Sequence, residues 1–278
     1  MMIENKEAII AMSSKNYEIH IGDNVFHAVQ FGSGEKHLVL IPGLGDGLST
    51  LKGKAGASGV LYRRYGKKYR VTMISRKNNL SPEDTTVSLA KDQALAMQAL
   101  KIEKAHVMGL SMGGMIAQHL AADYRGLVDK LVLVSTAPKA DGMLLENLTR
   151  WKGFAEMGAC LGLAIDMTEK AYTEKKRRVL RPLYPYMGSA IRKADLSRFS
   201  TTAEIFAGHD ALSRLSQISA PALILAGRED RTVDVENAHL LHRFIEDSQL
   251  KIYENQSHVL LDQEPDFHKT VLSFLGEE

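Results

Sequence analysis

A series of short apolar runs, set too far apart for hairpins, constrains this chain more than any other feature. HLVLI (37–41), RVTMIS (70–75), AHVMGL (105–110), KLVLVST (130–136), PALILAG (221–227) and LKIYE (250–254) are short runs dominated by apolar and β-branched residues. Strands of that kind are covered on both faces, as they are in a parallel sheet. Two earlier runs, YEIHI (17–21) and VFHAVQF (25–31), alternate or mix polarity, which suits an antiparallel edge. Helical periodicity fills most gaps between the later runs. Over residues 86–100, Val87, Ala90, Ala94 and Met97 recur at three- and four-residue spacing, with Lys91, Asp92 and Gln98 off the stripe. This alternation predicts an α/β fold: a mostly parallel, doubly wound sheet of eight strands with helices on both faces. Ligands of such sheets bind at the carboxyl ends of the strands, so the residues just after each run carry the functional weight.

One interval breaks the alternation. Residues 138–208 contain no strand pattern, only helical stretches such as MLLENLTRWKGFAEMGACLGLAI and TEKAYTEKKRRVLRPLY. They predict a helical cap inserted between two late strands of a core built from residues 1–137 and 209–278. The basic run Lys175, Lys176, Arg177, Arg178 and Arg181 reads as a solvated helix face, and RPLYPYMG as a turn between cap helices. A chain of 278 residues can bury the core this requires.

Thirty-five Lys and Arg against 33 Asp and Glu leave a net charge of +2, too balanced to point to nucleic acid or an anionic membrane as partner. A small-molecule substrate is expected. Cys160 is the only cysteine, so no intrachain disulfide forms, and a lone cysteine reads as small apolar filler. The apolar stretch at residues 8–12 is short of a signal-peptide core, and no run reaches the roughly 18 apolar residues of a membrane span. The expected location is cytoplasmic, with no membrane span.

Gly109, Ser111 and Gly113 form G-x-S-x-G where AHVMGL gives way to the helical stretch SMGGMIAQHLAADY. A strand-to-helix turn of this composition is a nucleophile elbow, with the serine strained at its tip and glycines beside it because a Cβ would strike neighbouring backbone. The N–H of the next residue, Met112, then faces the place where an oxyanion would form.

With this motif in this context, the chain resembles the α/β-hydrolase family over nearly its whole length. The resemblance implies an acid and a histidine after later strands, in the order Ser, Asp or Glu, His. After PALILAG, the residues Gly227, Asp230 and Val233 match the family's G-x-x-D-x-x-V, which makes Asp230 the acid. A helix beginning near Val233 would give that carboxylate an alternative role at a helix start. Glu229 and Asp234 are its neighbours, and Asp141, after KLVLVST, stands in a reserve position that some relatives use. After LKIYE, His258 occupies the histidine position, followed by the usual acidic residue and proline, Glu264 and Pro265. The family's second oxyanion donor comes from the loop after the third strand. Here that loop is IPGLGDG, so Leu44 N–H is the candidate, although Pro42 and Gly43 stand where most relatives have His-Gly.

The implied activity is that of a carboxylesterase-like serine hydrolase, cleaving a small ester, thioester or lactone through an acyl-enzyme on Ser111. No cofactor is implied. The histidines are scattered and lack H-E-x-x-H, so no catalytic metal is expected. Proline iminopeptidases usually carry tryptophan after the serine, where this chain has Met112. Hydrolases of carbon–carbon bonds usually carry an aromatic after the histidine, where this chain has Val259. These two activities, and a non-catalytic ligand-binding relative, are the alternatives.

Overall fold

The computed structural model describes residues 14–192 and 194–276, so the apolar stretch at residues 8–12 lies outside the described residues. Eight strands form one sheet: β1 (Ser14–Ile21), β2 (Asn24–Phe31), β3 (His37–Ile41), β4 (Arg70–Ile74), β5 (Ala105–Leu110), β6 (Val128–Val134), β7 (Ala222–Gly227) and β8 (Ser248–Tyr253). Their spatial order is β1-β2-β4-β3-β5-β6-β7-β8. β1 pairs antiparallel with β2, and β2 antiparallel with β4; all later pairings are parallel. The polar alternation of the first two runs thus belongs to the antiparallel edge, and the continuous apolar runs to the interior.

Successive side chains of the central strands enter two separate cores. Val39, Ile41, Val107, Leu131 and Ile224 pack with Leu89, Ala90, Met97 and Ile116 on one face. Leu38, Leu40, Met108, Val132 and Leu225 pack with Tyr65, Phe267 and Val271 on the other. A parallel strand must therefore be apolar at every position, which explains the runs.

The helix Thr86–Ala99 buries Thr86, Leu89, Ala90, Gln93, Ala94, Ala96 and Met97. Val87, expected on that stripe, is 50% exposed. The face is phased from Thr86 through Leu89 and Ala90 to Gln93, because Thr85 caps the helix by accepting from Ser88 N–H and sets its start.

Between β6 and β7 the described residues contain helices and no strand. The first helical stretch is two helices, Gly142–Glu156 and Cys160–Ala171, separated at Gly158, whose φ of +64° is left-handed. Cys160 is half-buried at the start of the second helix rather than core filler. RPLYPYMG is helical, not a turn: a 3-10 segment, Arg181–Leu183, runs into the helix Tyr184–Ile191, with prolines at the tolerated first positions. Arg177 also departs from expectation. It is buried, donating to the Glu169 carbonyl at 2.6 Å and to the Glu174 carboxylate at 2.8 Å, while Arg178 is exposed. Among the described residues no helix is long and apolar enough to cross a membrane.

Candidate active site

After β3 the chain moves to β4 on one side, then crosses back to β5 on the other, so the strand order reverses between β3 and β5. Ligand crevices of open α/β sheets form at such reversals. Ser111 stands there, directly after β5 and before the helix Met112–Asp123. Its backbone has φ 53° and ψ −118°, a conformation that costs a non-glycine residue about 1–3 kcal/mol. Neighbouring hydrogen bonds over-determine it: Ser111 N–H donates to Val134 C=O at 2.8 Å, and Gly114 N–H to Ser111 C=O at 2.8 Å. The flanking glycines are required by space. A Cβ on Gly113 would lie 2.0 Å from Ile41 O, and one on Gly109 2.5 Å from Gly114 Cα.

His258 lies in the loop after β8 and Asp230 in the loop after β7. Asp230 is buried, and its Oδ1 accepts from Thr232 N–H at 2.8 Å and Val233 N–H at 2.9 Å. These bonds turn Oδ2 toward His258, whose Nδ1 donates to it at 2.7 Å. A carboxylate only accepts, so the proton sits on Nδ1 and Nε2 is left as an acceptor. Nε2 lies 2.9 Å from Ser111 Oγ. A hydroxyl, an imidazole of fixed tautomer and a buried carboxylate in this order can activate the hydroxyl as a nucleophile.

The other carboxylates do not join this chain. Glu229 is exposed, and Asp234 accepts from Glu236 N–H at 3.1 Å. Asp141 is exposed at the start of the helix Gly142–Glu156. The helix after Asp230 begins at Glu236 rather than near Val233, so Asp230 serves a tight turn and not a helix start.

Leu44 and Met112 are both buried. Met112 opens its helix, where the N–H groups have no intrahelical acceptor. The loop holding Leu44 runs against the elbow: a Cβ on Gly43 would sit 3.3 Å from Ser111 Cβ.

Two supporting residues carry no mark in the sequence. Asn147, buried on the helix Gly142–Glu156, donates to the carbonyls of Arg231 at 2.9 Å and Thr232 at 3.1 Å, and so holds the acid loop. The single Ser257 hydroxyl proton is shared between the carbonyls of Glu229 at 3.1 Å and Lys170 at 3.3 Å, joining the loop of His258 to that of Asp230 and to the inserted helices. Nothing in the order of residues marks Asn147 or Ser257, because their partners are 84 and 28 positions away. Among the described residues no group of three or more His, Cys, Asp or Glu is placed to hold a metal ion.

Comparison with known proteins places the fold. A 2-hydroxy-6-oxononadienedioate/2-hydroxy-6-oxononatrienedioate hydrolase of Pseudomonas sp is 25% identical over 290 residues, spanning 96% of this chain and 98% of that protein. 3-Oxoadipate enol-lactonase 1 of Acinetobacter baylyi is 26% identical over 196 residues, 66% of this chain and 68% of that protein. The crystal structure of MGS-M2, an alpha/beta hydrolase enzyme from a Medee basin deep-sea metagenome library, superposes with a TM-score of 0.81 at 18% identity, covering 94% of this chain and 98% of that one. The family model described as alpha/beta hydrolase fold matches residues 36–265, and the chain belongs to that family.

Proposed function

We propose that the protein is a serine hydrolase of the carboxylesterase type, cleaving a small ester, thioester or lactone through an acyl-enzyme on Ser111. The observation that carries this reading is the unbroken hydrogen-bond chain from Ser111 Oγ through His258 to Asp230, at 2.9 and 2.7 Å. His258 Nε2 takes the hydroxyl proton as Oγ attacks the carbonyl carbon, and Asp230 stabilises the imidazolium. The carbonyl oxygen becomes an oxyanion between the N–H groups of Leu44 and Met112. Collapse transfers the imidazolium proton to the leaving oxygen or sulfur, and water, activated by the same imidazole, then releases the acid.

We assign residues 138–208 as a cap on a core of residues 1–137 and 209–278. Support comes from the two ends of the insertion, which meet: Ala140 N–H donates to His209 C=O at 2.9 Å and Ala211 N–H to Pro138 C=O at 2.8 Å. A second reading, hydrolysis of a carbon–carbon bond, is favoured by the relative that matches 96% of the chain. A fluorophosphonate probe tests the nucleophile, and a panel of activated esters, enol-lactones and vinylogous diketones tests the bond. Labelling at Ser111 with ester turnover is the expected result; labelling elsewhere ends the assignment.

A further inference from the structure

Beneath the loop after β3 lies a buried ionic network, separate from Ser111, His258 and Asp230. Arg76, two residues past β4, is 1% exposed and spreads its guanidinium across two consecutive carbonyls. Nη1 donates to Pro42 C=O at 3.1 Å and Nη2 to Gly43 C=O at 3.0 Å. Asp46 lies between two arginines: its Oδ2 accepts from Arg76 N–H at 3.1 Å and stands 3.4 Å from Nη2 of both Arg76 and Arg198. Arg198 also donates to the backbone carbonyls of Asp46, Arg76 and Lys77.

Arg198 belongs to the helix Leu196–Ala207, the last α-helix before β7. Arg198, Thr202 and Phe206 recur every four residues, so they share one face, and all three are buried. Thr202 lies against Gly47, where a Cβ would be 3.0 Å from its Oγ1. The Phe206 ring stands 5.5 Å from the Arg76 guanidinium. Burial pushes the Arg76 guanidinium down to about 10, with Asp46 opposing the change and Arg198 adding to it, so Arg76 remains charged at neutral pH. Two cations and one carboxylate leave a net positive charge under the loop.

Gly43 C=O and Leu44 N–H belong to one trans peptide, so they point in opposite directions. Fixing the carbonyl on Arg76 aims the N–H away from the network, and a charged donor on the oxygen polarises the peptide toward stronger N–H donation. We propose that Arg76, Asp46 and Arg198, clamped by the helix Leu196–Ala207, form a positioning network that sets the Gly43–Leu44 peptide as an oxyanion donor for Ser111. The inference rests on the serine-hydrolase reading. None of the three touches the reacting atoms; they act through the peptide.

The test uses purified full-length protein, with fluorophosphonate labelling rates and kcat and KM on one activated ester. Arg76→Gln and Arg198→Gln are expected to lower kcat and the labelling rate on the order of 10²-fold with KM within about twofold, as loss of an oxyanion donor does. Arg76→Lys keeps the charge but not the two-pronged grip, and should recover part of the loss. Gly47→Ala pushes the helix from the loop without removing a charge, for a loss on the order of tenfold. Adding Thr202→Ala to it should restore much of the rate. Should the arginine variants not fold, the Gly47→Ala pair decides alone. Wild-type kcat in folded variants, or a loss confined to KM, overturns the network's role and leaves the hydrolase reading intact. Failure of the wild type to react at Ser111 overturns the hydrolase reading, and the network's role falls with it.

Discussion

Two histidine sites, His258 partly exposed and His209 buried, show how differently one side chain behaves in one molecule. His258 meets a carboxylate at Nδ1 and a hydroxyl at Nε2, so both protonation states find a partner. His209, at the base of the inserted helices, meets Thr86 Oγ1 at 2.9 Å and the edge of His119, with ring centroids 5.4 Å apart. Burial, and then the neighbouring His119, push His209 down to about 3; burial also lowers His119. Asp210 beside both rings and Asp123 beside His119 oppose this but do not outweigh burial, so the pair is held neutral. Burial without an anionic partner thus disfavours the proton at His209, whereas His258 has a carboxylate on its far nitrogen.

The largest test of this contrast removes the hydroxyl bonded to His258, the proposed nucleophile. Ser111→Ala should lower kcat on the order of 10⁶-fold with the melting temperature preserved, as triad removal does in other serine hydrolases. Next comes the carboxylate that distinguishes the two sites. Asp230→Asn should cost about 10⁴ in kcat by stabilising the wrong tautomer, measured on the same ester with a thermal melt. Glu229→Gln, Asp234→Asn and Asp141→Asn should leave kcat near wild type. A dead Asp141→Asn beside an active Asp230→Asn would move the acid to the loop after β6.

A smaller effect is expected at Asn147, which supports the acid loop without touching His258. Asn147→Ala leaves the carbonyls of Arg231 and Thr232 without this donor and should destabilise by about 1–3 kcal/mol in chemical denaturation. The same variant should lower kcat less than Asp230→Asn does.

The histidine pair should leave activity at neutral pH unchanged and show itself only in acid. For His209 the unfolded chain titrates near 6.5 and the folded protein near 3, so the folded state disfavours the proton. Its contribution to stability is whole above pH 6.5 and falls by about 1.4 kcal/mol per pH unit between 6.5 and 3. His209→Gln keeps a hydrogen-bonding partner for Thr86 and should flatten the fall of melting temperature with acid by about one proton. An unchanged slope would mean that His209 is not the group that takes up the proton.

Legibility in the sequence followed distance along the chain. The eight strands could be read because each is a contiguous run whose composition answers to local burial on two faces, as in HLVLI and PALILAG. Ser111 could be read because the elbow is a five-residue structure with its own steric demands, seen in the close approach of Gly113 to Ile41 O. Asp230 and His258 came from a family pattern rather than from periodicity. On the helix Thr86–Ala99, Ala90, Ala94 and Met97 are buried as their spacing predicts, and only Val87 departs, because the cap at Thr85 sets the start of the helix and Val87 looks as apolar as any core residue. The segment RPLYPYMG was misread because proline is a breaker inside a helix yet acceptable in its first turn.

By itself, the sequence determined the strand count, the parallel interior, the antiparallel edge and the strained turn at Ser111, since each follows from residues within a few positions of one another. Only the tertiary structure decided that Asn147 and Ser257 tie the loops of Asp230 and His258 together and to the inserted helices. It also decided that Arg76, Asp46 and Arg198, spread over 152 positions, share one buried charge network. Electrostatic partners act through space over a few ångströms, and the sheet order that brings β3, β4 and the helix Leu196–Ala207 together is a property of the whole fold.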